Sequence, residues 1–167
     1  MTEKEWKSLR SDTERWKAIK EGKVTDSELL IKIVKIGGIY VCGDAVGKIV
    51  ENITDEAALI EIAMTHEYPN LCEAAVEKIT NETVLIKIAM TNAESKVRRA
   101  AIEKMTDETA LIKIVKTEKD PFIRYIAIKK IKDEAALTEI VMTDKDPFVR
   151  SSAIEKMTDE AALIRIV

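Results

Sequence analysis

Reactive side chains must converge before they do chemistry, and this chain carries few of them. Its one histidine, His66, lies in the segment MTHEYPN at 64–70, beside Glu67 and Tyr68. With no second histidine and no cysteine beside it in sequence, it completes neither a metal set nor a nucleophile–base pair. It reads as a surface-loop residue. The two cysteines, Cys42 and Cys72, are 30 positions apart and lack the Cys-x-x-Cys spacing of a metal knuckle. Reduced intracellular thiols fit them better than a disulfide framework.

The segment GDAVGKI at 43–49 superficially resembles a phosphate loop. Its glycines are too close together, and Ile49 follows the lysine where Ser or Thr is needed to reach a metal ion. The glycines at 37, 38 and 43 read instead as relaxing the backbone of an irregular stretch. Paired acids at Asp55-Glu56, Asp107-Glu108 and Asp159-Glu160 have the chemistry of calcium ligands. Each pair also heads a helical segment, where capping accounts for it. No catalytic, cofactor-binding or metal-ligating residue is therefore assigned, and no cofactor is expected.

The elements that would position any site come from an internal repeat. AIEKMTDE occurs at 101–108 and again at 153–160. The separation of 52 is two periods of 26, and blocks of 26 align from Ala45 onward. They begin AVGKIVENITDE at 45, LCEAAVEKITNE at 71, VRRAAIEKMTDE at 97, IRYIAIKKIKDE at 123 and VRSSAIEKMTDE at 149. A half block, VTDSELLIKIVK, starts at Val24, and KIGGIYVCGD after it breaks the spacing by three residues.

Within a block, Val97, Ala101 and Met105, then Leu111, Ile114 and Val115, fall at helical spacing, so each block predicts two amphipathic helices. Thr106 and Asp107, with counterparts at Thr54, Thr80 and Thr158, supply an N-cap for the second helix, with Glu108 in its first turn. Asp120 and Asp146 are placed to cap the next first helix, with Pro121 and Pro147 at its first position. Leu59, Leu85, Leu111, Leu137 and Leu163 recur as a core column.

The predicted fold is all-α: a right-handed α-solenoid of stacked two-helix repeats of about 26 residues. An N-terminal capping segment occupies 1–23, with Trp6, Leu9, Thr13 and Trp16 on one face, Ser11 and Glu14 as a capping box and Gly22 as a stop. The array fills 24–167, in units near 24–44, 45–70, 71–96, 97–122, 123–148 and 149–167. The last unit ends at AALIRIV without a polar cap, which predicts a truncated array or end-to-end self-association through the C-terminal repeat.

Composition agrees. The chain has 46% apolar and 34% charged residues, few aromatics, five Gly and three Pro, so it is rich enough to fold and suited to helices. The net charge of −3 gives no overall footprint for nucleic acid or an anionic membrane. No apolar run approaches the length of a membrane span and no secretory signal opens the chain, so a cytoplasmic location is the expectation.

The blocks DPFIRYIAIKKI and DPFVRSSAIEKM resemble the short HEAT-like repeats of phycobilisome-lyase-type proteins, a resemblance that covers 24–167. Leucine-rich variant repeats are a related resemblance with a slightly shorter unit. The resemblance implies a protein-binding scaffold, with occasional enzymatic members. It also implies that second helices line a concave side and that an Asp and an Arg tie successive units. The sequence offers local partners, since Glu94, Asp120 and Asp146 each stand four residues before Arg98, Arg124 and Arg150. Where Cys72 replaces the arginine, Tyr68 replaces the acid, which favours structural ion pairs over a row of phosphate-binding arginines.

The outward positions of the second helices are then the candidate partner-binding surface: Glu61, Met64, Lys87, Met90, Lys113, Lys116, Glu139 and Met142. Adaptable methionines in a polar rim suit a protein partner. Those positions, with the corresponding ones in the flanking blocks, sum to +3. Glu61 and Glu139 interrupt the lysines and no aromatic residue interleaves with them, which disfavours nucleic acid. The expectation is a protein-interaction scaffold and not an enzyme, with an unidentified protein partner and no membrane association. A nucleic-acid-binding module and, behind it, a lyase-type enzyme are the alternatives.

Overall fold

The computed structural model describes residues 1–36, 49–64, 68–160 and 163–164, and among these the fold is all-α with no strand. His66, Cys42, the glycines at 37, 38 and 43, and most of the GDAVGKI and AALIRIV segments lie outside the described residues. The chain divides into two compact units, Met1–Ile79 and Thr80–Val167.

In the first unit, α1 (Glu3–Ser8) starts at a capping box, in which Thr2 Oγ1 accepts the Glu5 N–H and the Glu5 carboxylate accepts the Thr2 N–H. Helix α2 (Asp12–Lys20) starts at Ser11, whose hydroxyl accepts the Glu14 N–H at 3.2 Å. The expected second capping box is shifted by one residue, because the Glu14 carboxylate returns to the Arg10 N–H at 2.7 Å. Gly22 ends α2 with φ +66°, a left-handed conformation that glycine adopts without steric cost. Trp6 is buried, whereas Leu9 and Trp16 are only half-buried.

Helices α3 (Ser27–Ile36), α4 (Glu56–Met64) and α5 (Pro69–Lys78) follow, with α4 packed on both α3 and α5. Lys32 ties α3 to α1 through Glu3 at 2.9 Å. Together with Lys7 it holds the Glu3 carboxyl down at about 2. Leu30, Leu59, Ile62, Leu71, Cys72 and Val76 are in the core. The Cys72 thiol donates to the Ile62 carbonyl at 3.2 Å.

The second unit holds α6 (Glu82–Thr91), α7 (Ser95–Lys104), α8 (Glu108–Thr117), α9 (Pro121–Ile128), α10 (Glu134–Thr143) and α11 (Pro147–Lys156). Each even-numbered helix packs on the odd one that follows it. Val97, Ala101, Met105, Leu111, Ile114 and Val115, the apolar columns of one block, are all buried. The leucine column is buried at Leu59, Leu85, Leu111 and Leu137, while Leu163 is half-buried.

At the start of the second helices the short side chain directly before the first-turn acid is the cap, as expected at Asp107 and in place of the threonine at Thr80: Asn81, Asp107 and Asp133 accept the N–H groups of Val84, Ala110 and Ala136 at 3.3, 3.0 and 3.0 Å. Asp120 and Asp146 cap α9 and α11 as expected, with Pro121 and Pro147 just inside the helix.

Candidate interaction surface

The arginines of α7, α9 and α11 do not pair with the acids four residues before them. Those acids stand at the helix starts, where Asp120 and Asp146 are occupied as caps. Arg98 instead reaches Glu118, at 2.8 Å from Nε, and Arg124 reaches Asp144 with two parallel bonds of 2.9 Å from Nε and Nη2. Each partner is twenty positions on, in the loop after the next second helix. The remaining guanidinium nitrogen closes the loop beneath it: Arg98 Nη1 donates to the carbonyls of Asn92 and Ala93, Arg124 Nη1 to those of Glu118 and Lys119. Arg150 makes the same two carbonyl contacts, with Asp144 and Lys145.

Glu118 and Asp144 are consequently doubly used. Glu118 also accepts the N–H groups of Lys119 and Asp120, and Asp144 that of Asp146. Burial pushes the Glu118 carboxyl up, but the Asp120 N–H, the Arg98 guanidinium and the Lys119 N–H outweigh it and hold the group below the usual carboxylate range. This geometry assigns Arg98 and Arg124 to structure, with their charge paired and only about a tenth of each side chain exposed at Arg124 and Asp144.

A second set of ties uses the first-turn glutamates. Glu82 on α6 accepts the N–H groups of Thr106 and Asp107, at 2.7 and 2.9 Å. Glu108 does the same for Lys132 and Asp133, and Glu134 for Thr158, at 2.8 Å. Burial raises the Glu82 carboxyl, yet the Asp107 and Thr106 donors bring it below its ordinary value; Thr158 lowers that of Glu134. Lysine at the end of a first helix reaches the other way, from Lys130 to the Glu103 carbonyl in one unit and from Lys78 to the carbonyls of Val50, Glu51 and Ile53 in the other.

These ties fix where the candidate residues stand. In the second unit Lys87, Met90, Lys113, Lys116, Glu139 and Met142 all lie on α6, α8 and α10 and are all exposed. Met90 is 38% and Met142 67% exposed, so neither folds back into the core. Lys116 and Glu139 meet across α8 and α10 at 2.8 Å, so the Lys116 charge is paired within the strip. Met90 lines a hollow of about 520 Å3 with Ile114 and Arg98, and Lys116 and Glu139 line another of about 430 Å3 with Val115 and Ile140. In the first unit Glu61 and Met64 share α4, Glu61 exposed and Met64 half-buried.

The two helix layers of the second unit are not equally close. Helix α9 lies along both α7 and α11, whereas α6 approaches α8 over a shorter stretch.

Among the described residues no group of His, Cys, Asp and Glu is placed to hold a metal ion, and no helix is long and apolar enough to cross a membrane. Comparison with family models, with curated proteins and with solved structures finds no significant match to any.

Proposed function

We propose that this chain is a scaffold that binds a protein partner along the exposed face of its second helices. In this reading it is built as a right-handed α-solenoid of about 26-residue helix pairs of the HEAT-like kind, and works in the cytoplasm. The observation that carries the reading is the exposure of Met90, which lines an open hollow, and of Met142, both on second helices. Flexible thioether side chains in a polar surround adapt to a partner's contour without needing a preformed pocket. Nucleic acid is less well served, since Lys116 is engaged by Glu139, Arg98 by Glu118 and Arg124 by Asp144.

The test is affinity capture from a lysate of the source organism, with the wild type compared against a Met90→Glu, Met142→Glu double variant shown to be folded by circular dichroism. A protein enriched by the wild type and lost from the variant supports the reading. Enrichment retained in the variant removes this face from it.

A further inference from the structure

On the opposite layer of the second unit the structure gathers three rings. Phe122 and Tyr125 of α9 have centroids 6.1 Å apart, and Tyr125 lies 4.9 Å from Phe148 of α11. Phe122 and Phe148 are 50% and 53% exposed, although nothing in the fold requires an aromatic residue there. Both follow a helix-starting proline, at a position filled by Lys96 in the preceding block. Phe122 and Tyr125 form one wall of a hollow of about 410 Å3, floored by Ile126 and closed by Arg99, Glu103, Lys129 and Lys130. Three cations thus face one acid, in a chain whose net charge is −3.

We infer that this aromatic hollow is a docking site for an acidic peptide segment that inserts an apolar anchor side chain between Phe122, Tyr125 and Ile126. The volume suits one or two large side chains. Around it, Lys129 and the Lys130 ammonium, which keeps its charge while donating to the Glu103 carbonyl, supply the attraction for flanking carboxylates, and the Glu103 carboxylate is already paired with Arg99 at 2.7 Å. Single-stranded nucleic acid fits less well. The Tyr125 face is covered by the Lys129 ammonium at 4.5 Å, and the three rings tilt against one another, at 32° and 44°, so they present no parallel platform for bases. The site uses residues of α7, α9 and the turn that ends α9, none of them on a second helix, so it stands or falls independently of the second-helix surface.

Fluorescence anisotropy tests it on the full chain with a labelled peptide of about ten residues, a central Leu-Phe pair flanked by Glu. Controls are the same peptide with Lys for Glu, the same peptide with Ser for the Leu-Phe pair, and an oligothymidine. Two protein variants, Phe122→Ser with Phe148→Ser, and Lys129→Glu, change exposed side chains and are first checked by thermal melting. The expected result is saturable binding of the acidic apolar peptide, with each control peptide and each folded variant weakened about ten-fold or more. No binding, or binding unchanged in both variants, overturns the proposal. So does tighter binding of the oligothymidine, or self-association of the wild type that both variants abolish, since a second copy would then be the occupant.

Discussion

Arg124 bypasses Asp120, four residues before it, and closes a two-pronged ion pair with Asp144, twenty residues after it. The pair is about nine-tenths buried on both sides, and the same guanidinium also holds two backbone carbonyls. Truncating one partner strands the other charge, which is why such pairs are costly to break even when forming them gains little.

Arg124→Ala is expected to cost about 3 kcal/mol in urea denaturation. Arg150 makes only the carbonyl contacts in this structure, and Arg150→Ala is expected to cost about 1 kcal/mol. Equal losses would show that the Arg124–Asp144 bonds contribute nothing beyond the shared carbonyl contacts.

Leu111, 1% exposed, is surrounded by the core of the second unit. Leu111→Ala should remove about 2 to 5 kcal/mol, read as a lower melting temperature or urea midpoint, because the surrounding helices only partly close the cavity. A shift near zero would contradict the packed column.

Glu108 holds the Lys132 and Asp133 N–H groups from outside their own helix. Glu108→Ala should cost about 1 to 2 kcal/mol, and Glu108→Gln, which keeps an acceptor, about half of that. Glu103→Ala, which loses only a half-exposed pair with Arg99, should stay within about 0.5 kcal/mol in the same denaturation series.

Acid sensitivity follows from carboxyls held below their ordinary values at Glu82, Glu118 and Glu134. A group lowered in the folded state stabilises the fold at pH values above its unfolded pKa, near 4.3, and that contribution is lost as pH falls through the folded value. The urea midpoint should hold from pH 7 to about 5 and then drop. A variant with Gln at all three positions should start lower and drop less; parallel curves would remove these groups from the acid response.

The helix pairs were legible because two periodicities coincide in this chain, the helical spacing within a segment and the 26-residue spacing between copies. The caps at Asp120 and Asp146 were legible for a local reason, a short acid directly before a proline. What local reasoning missed were bonds between residues far apart in sequence. Glu94, Asp120 and Asp146 were natural partners for the arginines by spacing, but side chains at helix starts serve the backbone there and leave the guanidinium to look elsewhere.

One sequence signal pointed to the true partner. At the column of Arg98 and Arg124 the earlier copy carries Cys72, and twenty positions on, where the others have Glu118 and Asp144, it has Asn92. The aromatic hollow lies away from the second-helix columns, because the change from Lys96 to Phe122 to Phe148 runs down a first-helix column.

The arginine and glutamate ties between copies run in opposite directions. Glu82 and Glu108 grip the turn of the copy that follows, while Arg98 and Arg124 grip with Nη1 the loop carbonyls of the copy before, so every copy in the second unit carries a plug and a socket on each side. Splicing in a duplicate of residues 97–122 would bring one new plug and one new socket of each kind, leaving none over. Array length in such a design is a free variable, open to change by simple duplication or deletion without inventing a new joint.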